Sequence, residues 1–197
     1  MALRDKIENA LFPLILLQAI KVEGSVFTVN FQRHDQSPKG SLTLDHHSLI
    51  GEAMAESVHV EPPLFSAIAG LPGASEEIAY RFAQFAQGSL PIPLIHLEEV
   101  VRGDERCHIR AREEDAVPQG AVLLVGDYAR SGTNLCEGAR ALSALGLEVT
   151  DALVFLDFEQ EARAALFTQG IHLRSVVTKH DVLGFMRRAE PRELAHA

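Results

Sequence analysis

The sequence predicts an α/β domain: a parallel sheet flanked by helices, with a small N-terminal lobe. Three observations predict it. Ala121–Val125 and Ala152–Leu156 are continuous apolar runs without alternation, as strands buried on both faces of a parallel sheet require. The stretches that follow them have helical spacing, and each is stopped by a glycine, Gly146 or Gly170. Together with the run Leu173–Val177 they give strand, helix, strand, helix, strand, a βαβαβ order that implies right-handed crossovers.

Element by element, residues 3–20 have helical character, with Pro13 as an interruption or a first-turn residue. Residues 26–29 and 41–44 read as short strands around the turn cluster 34–40. Residues 49–60 are expected as a helix ending before Pro62-Pro63, and 65–69 as a short apolar run before the turn Gly70-Leu71-Pro72-Gly73-Ala74-Ser75. A helix is expected over 76–87. After the strand 121–125 comes a polar loop, 126–133, and a helix over 134–145 with Leu135, Ala139, Leu142 and Leu145 on one face. A further helix spans 159–169. Thr178 with Asp181 reads as a capping-box variant opening the last helix, to about Arg188. We divide the single domain into an N-terminal lobe (1–48), a core (49–188) and a tail (189–197).

The chain has 197 residues, enough for one core, and 47% hydrophobic against 23% charged residues, which excludes wholesale disorder. Its formal net charge of -9 argues against nucleic-acid binding, which needs a basic face. Cys107 and Cys136 form neither a CxxC nor a metal-ligand spacing. Adjacent His46-His47 cannot easily both face one ion, so they read as surface histidines and no metal site is expected. The apolar run 10–17 is too short to span a bilayer and contains proline. No signal peptide is visible, and the expectation is a cytoplasmic protein.

Chemistry concentrates in Val122-Leu123-Leu124-Val125-Gly126-Asp127-Tyr128-Ala129-Arg130-Ser131-Gly132-Thr133-Asn134. A buried strand delivers an acid, then a loop of small residues, then a helix start. Free backbone N–H groups and the positive end of the helix dipole suit a phosphate there. Ser131 and Thr133 add hydroxyl donors, Gly132 lets the backbone approach an anion, and Asp127 can accept hydrogen bonds from a sugar diol. The set fits a ribose 5-phosphate, although any α/β domain can end a strand in Asp and cap a helix with Thr or Asn. It is neither a Walker loop nor a dinucleotide GxGxxG fingerprint.

This segment resembles the phosphoribosyltransferase signature of four apolar residues, two acids, two variable residues, a hydroxyl pair, Gly and a further hydroxyl. Downstream, 146–160 and the run Gly170-Ile171-His172-Leu173-Arg174-Ser175 are similar to consecutive motifs of the orotate phosphoribosyltransferases, and the likeness extends over about 121–188. The resemblance implies a homodimer, a phosphoribosyl pyrophosphate donor carrying Mg, and a nitrogenous-base acceptor in pyrimidine nucleotide metabolism. It places the ribose hydroxyls on Asp127 and the 5-phosphate on Ala129, Arg130, Ser131, Gly132 and Thr133. The pyrophosphate would lie near Arg102, Arg106 and His108, with Arg106 offsetting charge and His108 as a general acid.

The departures fall on functional positions. Gly126 replaces one acid of the pair. Phe158, at the base pocket, replaces the arginine that would anchor the orotate carboxylate. The stretch 102–108 lacks the family's loop lysines and reads equally as a solvated charged loop. The turn 70–75 lacks a lysine, and of the base-binding segment only Ser37-Pro38 survives in 32–38. Two readings follow: a diverged phosphoribosyltransferase, or a catalytically degenerate nucleotide or sugar-phosphate binding protein on the same fold.

Overall fold

The computed structural model describes residues 2–17, 19–23, 26–29, 44–58, 65–86, 92–102, 106–111, 120–159 and 161–188. In chain order the elements are α1 (Leu3–Leu16), β1 (Ile20–Glu23), β2 (Val26–Val29), α2 (Leu44–Ser57), β3 (Ala67–Gly70), α3 (Ala74–Ala86), β4 (Leu94–Arg102), β5 (Arg106–Ala111), β6 (Ala121–Ala129), α4 (Thr133–Ser143), β7 (Glu148–Asp157), α5 (Ala162–Phe167), β8 (His172–Thr178) and α6 (Lys179–Arg188). Six strands form one sheet in the order β5-β4-β3-β6-β7-β8, parallel except for β5, which runs antiparallel to β4. The first two strands pair as a separate antiparallel hairpin.

Strand periodicity sorts the core into two layers. Along β6, Leu123 and Val125 face a layer containing Leu14, Ile50, Ile78, Phe82, Phe158 and Val182, from α1, α2, α3, α6 and the turn after β7. Val122 and Leu124 face the other layer, with Leu135, Ala139, Leu142 and Leu166 of α4 and α5. The same split occurs on β7, where Leu153 and Phe155 face the first layer and Ala152 and Val154 the second. This is the doubly covered sheet that the unalternating apolar runs require. No helix among the described residues is long and apolar enough to cross a membrane.

Several boundaries differ from the expectations. Strand β6 continues to Ala129 because β7 runs alongside and pairs with it as far as Ala129↔Asp157, so 126–129 are strand and not loop. Between 87 and 120 no element was expected, yet β4 and β5 lie there. β5 is the edge strand, and β4 beyond His96 pairs with β5 alone, so the charged residues of this hairpin lie where the sheet is two strands wide. Helix α2 begins at Leu44, which the sequence reading had placed in a strand; residues 41–43 and the turn 34–40 lie outside the described residues. Within α2, His47 is buried at 3% exposure, a core residue and not a surface one. Pro13 sits inside α1, one turn before its end, and accepts the closing bond from the Leu17 N–H at 2.9 Å. The capping box at the last helix forms as expected: the Thr178 N–H donates to Asp181 Oδ2 at 2.8 Å and the Asp181 N–H to Thr178 Oγ1 at 3.2 Å.

Candidate active site

The carboxyl ends of β3 and β6 lie side by side, with Gly70 in register with Val125, and the Leu71 N–H extends the pairing to the Val125 carbonyl at 3.0 Å. Ligands of parallel sheets bind beyond such ends. A cavity of about 600 Å³ opens there. Its walls are Leu71, Pro72, Ala74 and Ser75 after β3; Asp127–Arg130 of β6 and its turn; Ser131–Leu135 at the start of α4; Thr28 and Val29 of β2; and Glu99 with Ile109 of the β4–β5 hairpin.

Asp127 projects from a strand into this cavity. Its Oδ1 accepts the Tyr128 N–H at 2.8 Å, and its own N–H donates to Ser75 Oγ at 3.0 Å. Ser75 is 2% exposed, so the α3 start is pinned to the acid by a buried hydroxyl. Burial pushes the Asp127 carboxyl above the usual carboxylate range, opposed by the hydrogen bonds from Tyr128 and Ser75. Burial and the Asp127 charge raise the Tyr128 hydroxyl as well, with the Arg130 charge acting against them.

The anion-suited turn is short: Arg130, Ser131 and Gly132, then helix. Gly132 has φ 81°, and a Cβ there would meet Ala162 Cα at 3.0 Å, so both backbone conformation and packing require glycine. That left-handed turn aims the first N–H groups of α4 at the cavity, where they have no intrahelical acceptors. Ser131 Oγ and Thr133 Oγ1 lie 3.0 Å apart, and both residues are exposed to the cavity. Ala129 is buried and contributes backbone, its carbonyl accepting the Phe158 N–H at 2.9 Å. Asp127, Ser131, Gly132 and Thr133 are thus brought together as expected.

Arg130 points elsewhere. Its Nη2 donates to the Phe27 carbonyl at 3.2 Å, and its guanidinium lies 4.5 Å from the centroid of the Phe158 ring. Phe158, expected at the base pocket, is 3% exposed and does not line the cavity. Its ring meets Phe27 edge-on at 5.2 Å and Tyr128 at 5.9 Å, so it forms the floor on which Arg130 rests. Asp157 before it is fully buried. Arg163 Nε donates to its Oδ2 at 2.7 Å and the Glu159 N–H to its Oδ1 at 2.8 Å, which holds the turn where Glu159 takes φ 56°.

The stretch 102–108, expected as a charged loop, is the turn end of the antiparallel β4–β5 hairpin, with Arg102 in register with Arg106 and Val100 with His108. Residues 103–105 lie outside the described residues. The hairpin reaches the cavity through the in-register pair Glu99↔Ile109, three residues nearer the sheet, which puts Arg102 and Arg106 about 10 Å farther along the strands. The sequence reading did not single out Thr28, Val29, Glu99 or Ile109 as cavity residues, whereas Tyr128 lies in the stretch 126–133 and Ser75 in the turn 70–75 that it had marked. Ser75 carried a signal, standing at the end of the turn Gly70-Leu71-Pro72-Gly73-Ala74-Ser75 before a helix. Among the described residues no three His, Cys, Asp or Glu side chains gather as a metal-binding group.

No family model matches the chain. An orotate phosphoribosyltransferase of Methanopyrus kandleri is 33% identical over 108 residues, 50% of this chain; the match spans little over half, 58%, of that relative's length. The orotate phosphoribosyltransferase of Aeropyrum pernix is 27% identical over 176 residues, 86% of this chain and 91% of that one. Among solved structures, a Mycobacterium tuberculosis orotate phosphoribosyltransferase in complex with 5-phospho-α-D-ribosyl 1-diphosphate superimposes with a TM-score of 0.61 at 23% identity, covering 92% of this chain and 93% of that one. The chain is thus similar to orotate phosphoribosyltransferases at low identity, and its fold is that of their solved structures.

Proposed function

We propose that the protein binds phosphoribosyl pyrophosphate and transfers its phosphoribosyl group to a nitrogenous base. The observation that carries this reading is the convergence on one cavity of Asp127, the start of α4 and the Ser131 and Thr133 hydroxyls. A 5-phosphate accepts hydrogen bonds from the Ser131 and Thr133 hydroxyls and the N–H groups of the first turn of α4, while Asp127 accepts from the ribose hydroxyls. In the transfer, a ring nitrogen of the base forms a bond to the anomeric carbon. The bond from that carbon to the pyrophosphate oxygen breaks, and pyrophosphate leaves with the electron pair. The protein's part is positioning and electrostatic stabilisation. Magnesium would enter with the donor, because that ion keeps several waters and is held by substrate phosphates with one or two carboxylates; Asp127 and Glu99 are the carboxylates on the wall. Arg102, Arg106 and His108, at the end of the β4–β5 hairpin, are assigned to the departing pyrophosphate.

A second reading, a binding protein that has lost the chemistry, is favoured by one observation: the site of the missing second acid is filled. Gly126 is packed by Val154, Leu135 and Leu71. Calorimetric titration with phosphoribosyl pyrophosphate and Mg, followed by steady-state assay with orotate, decides between them. Donor binding with turnover supports the transferase; donor binding without turnover on any base supports the second reading; no donor binding refutes both.

A further inference from the structure

We infer that Arg163, which stands outside the cavity wall, is a positioning residue for the donor's 5-phosphate: it holds the turn after β7 against the back of the turn 130–132 and so fixes where the first N–H groups of α4 point. This rests on the transferase reading above and adds to it a residue that touches no ligand. The turn after β6 leans on the turn after β7 through three contacts. The Ala129 carbonyl accepts the Phe158 N–H at 2.9 Å, and the Arg130 carbonyl accepts the Ala162 N–H at 3.2 Å. Gly132 stands so close to Ala162 that a Cβ on it would fall 3.0 Å from the Ala162 Cα. A shift of Phe158 or Ala162 therefore moves the backbone at 129–132 with it.

One guanidinium ties the second turn to the sheet. Asp157 ends β7 fully buried, and a buried carboxylate has to be paired. Its Oδ1 takes the Glu159 N–H and its Oδ2 takes Arg163 Nε, at 2.7 Å. The rest of the fork is used on β8: Nη1 donates to the Leu173 carbonyl at 3.1 Å and Nη2 to Ser175 Oγ at 3.2 Å. Three acceptors on two strands fix a planar group in place and orientation, which a point charge cannot do. Arg163 directly follows Ala162 at the start of α5, so these bonds fix Ala162 as well. The turn they hold contains Glu159 at φ 56°, a left-handed conformation that a non-glycine residue keeps only where its surroundings impose it. Without the guanidinium, Asp157 Oδ2 loses its charged partner, and the turn can relax away from Ala129 and Arg130. A second arginine provides a comparison. Arg174 pairs with Asp151 at 3.0 Å across the same two strands and is as exposed as Arg163, at 51%, but Asp151 lies six residues before Asp157, toward the strand starts and away from the cavity.

The test titrates full-length wild type, Arg163→Ala, Arg163→Lys and Arg174→Ala with phosphoribosyl pyrophosphate and Mg by calorimetry, below the melting temperature of each. Phosphorus NMR of the bound donor then reads its 5-phosphate and its pyrophosphate as separate signals. Arg163→Ala should weaken donor binding by about tenfold, within the roughly hundredfold that a misplacement of about 1 Å can cost. Its bound 5-phosphate signal should be displaced from the wild-type position, with the pyrophosphate signals unmoved. Arg163→Lys, which keeps the charge beside Asp157 but not the fork, should fall between; it carries the same two readings if the alanine variant does not fold. Arg174→Ala should bind as wild type does. A brace for stability alone would lower the melting temperature of Arg163→Ala and leave the donor's affinity and 5-phosphate signal unchanged. That result, an equal displacement of all the phosphorus signals, or an equal loss of affinity in Arg174→Ala overturns the assignment of Arg163 and leaves the transferase reading standing. Absence of donor binding in the wild type overturns the transferase reading, and this inference with it.

Discussion

Restoring the missing acid should damage the protein without restoring its donor affinity. Gly126 is buried in β6, and its face of the strand looks onto α4. A Cβ there would meet Val154 Cγ1 at 3.2 Å and Leu135 Cδ2 and Leu71 Cδ1 at 3.4 Å. Gly126→Ala therefore asks three packed side chains to yield by tenths of an ångström, an overpacking cost of about 1 kcal/mol. Gly126→Asp adds a carboxyl group among atoms that offer no donor. Leaving it unsatisfied costs about 1–3 kcal/mol when it is protonated and more when it is ionised. The sum, about 2–4 kcal/mol with the carboxyl protonated, is a large part of the 5–15 kcal/mol typical of a domain. Urea unfolding of wild type, Gly126→Ala and Gly126→Asp should show midpoints falling in that order at constant slope. Calorimetry should show no gain in affinity for phosphoribosyl pyrophosphate. An Asp variant as stable as wild type that binds the donor tenfold more tightly would mean that the side chain reaches the cavity and that Leu71, Leu135 and Val154 do not close its path.

Three further outcomes follow from the same geometry. Asp127→Asn should weaken phosphoribosyl pyrophosphate binding by about tenfold or more, by loss of charge-assisted bonds to the ribose. The same change should raise the melting temperature at neutral pH. Because the folded carboxyl titrates above its ordinary range, the native state holds more protons than the unfolded one between the two values; stability falls as pH rises through that window and stays lower above it. Melting curves from about pH 4 to about pH 8 should show that slope in wild type and not in the variant. Gly132→Ala, at φ 81° and 3.0 Å from Ala162 Cα, should cost about 2 kcal/mol in urea unfolding, and crystals soaked in ribose 5-phosphate should show phosphate at the α4 start in the wild type and none there in the variant. We propose, from the sequence resemblance alone, that the protein is a homodimer, and a monomer mass by light scattering at working concentration would refute it.

Much of the sheet was legible because burial on both faces leaves a plain mark. Ala121–Val125 and Ala152–Leu156 cannot alternate when each face meets a helix layer, and glycines at 146 and 170 stop the intervening helices with positive φ. The strand ends were not legible. Gly126, Asp127 and Tyr128 look like loop residues, and only the pairing of Tyr128↔Leu156 and Ala129↔Asp157, set by the length of a strand distant in sequence, keeps them extended. The β4–β5 hairpin was hidden for a related reason: an edge pair shows neither a continuous apolar run nor a two-residue turn signal, and its charged residues are those of any exposed loop.

The site shows the same division between what local chemistry announces and what only packing decides. A helix start after a glycine, with hydroxyls beside it, is announced by the sequence, and Ser131, Gly132 and Thr133 lie where that reading puts them. Residue position alone did not show how the neighbours pack. Phe158 reads as a lost cation because it is compared with one position in one motif, and Arg130 reads as part of a phosphate loop because it adjoins one. In space the strand ends of β6 and β7 are paired, so 130 and 158 stand side by side and the arginine lies across the phenylalanine. Conversely, Gly126 cannot be offset in this way, because its vacancy faces the opposite core layer, where Leu71, Leu135 and Val154 have closed on it. The two departures are therefore unequal. Position 158 keeps a cation beside it, with the Arg130 guanidinium 4.5 Å from the ring centroid, whereas position 126 is closed in by apolar side chains, so a carboxyl group restored at 126 would meet no space and no donor.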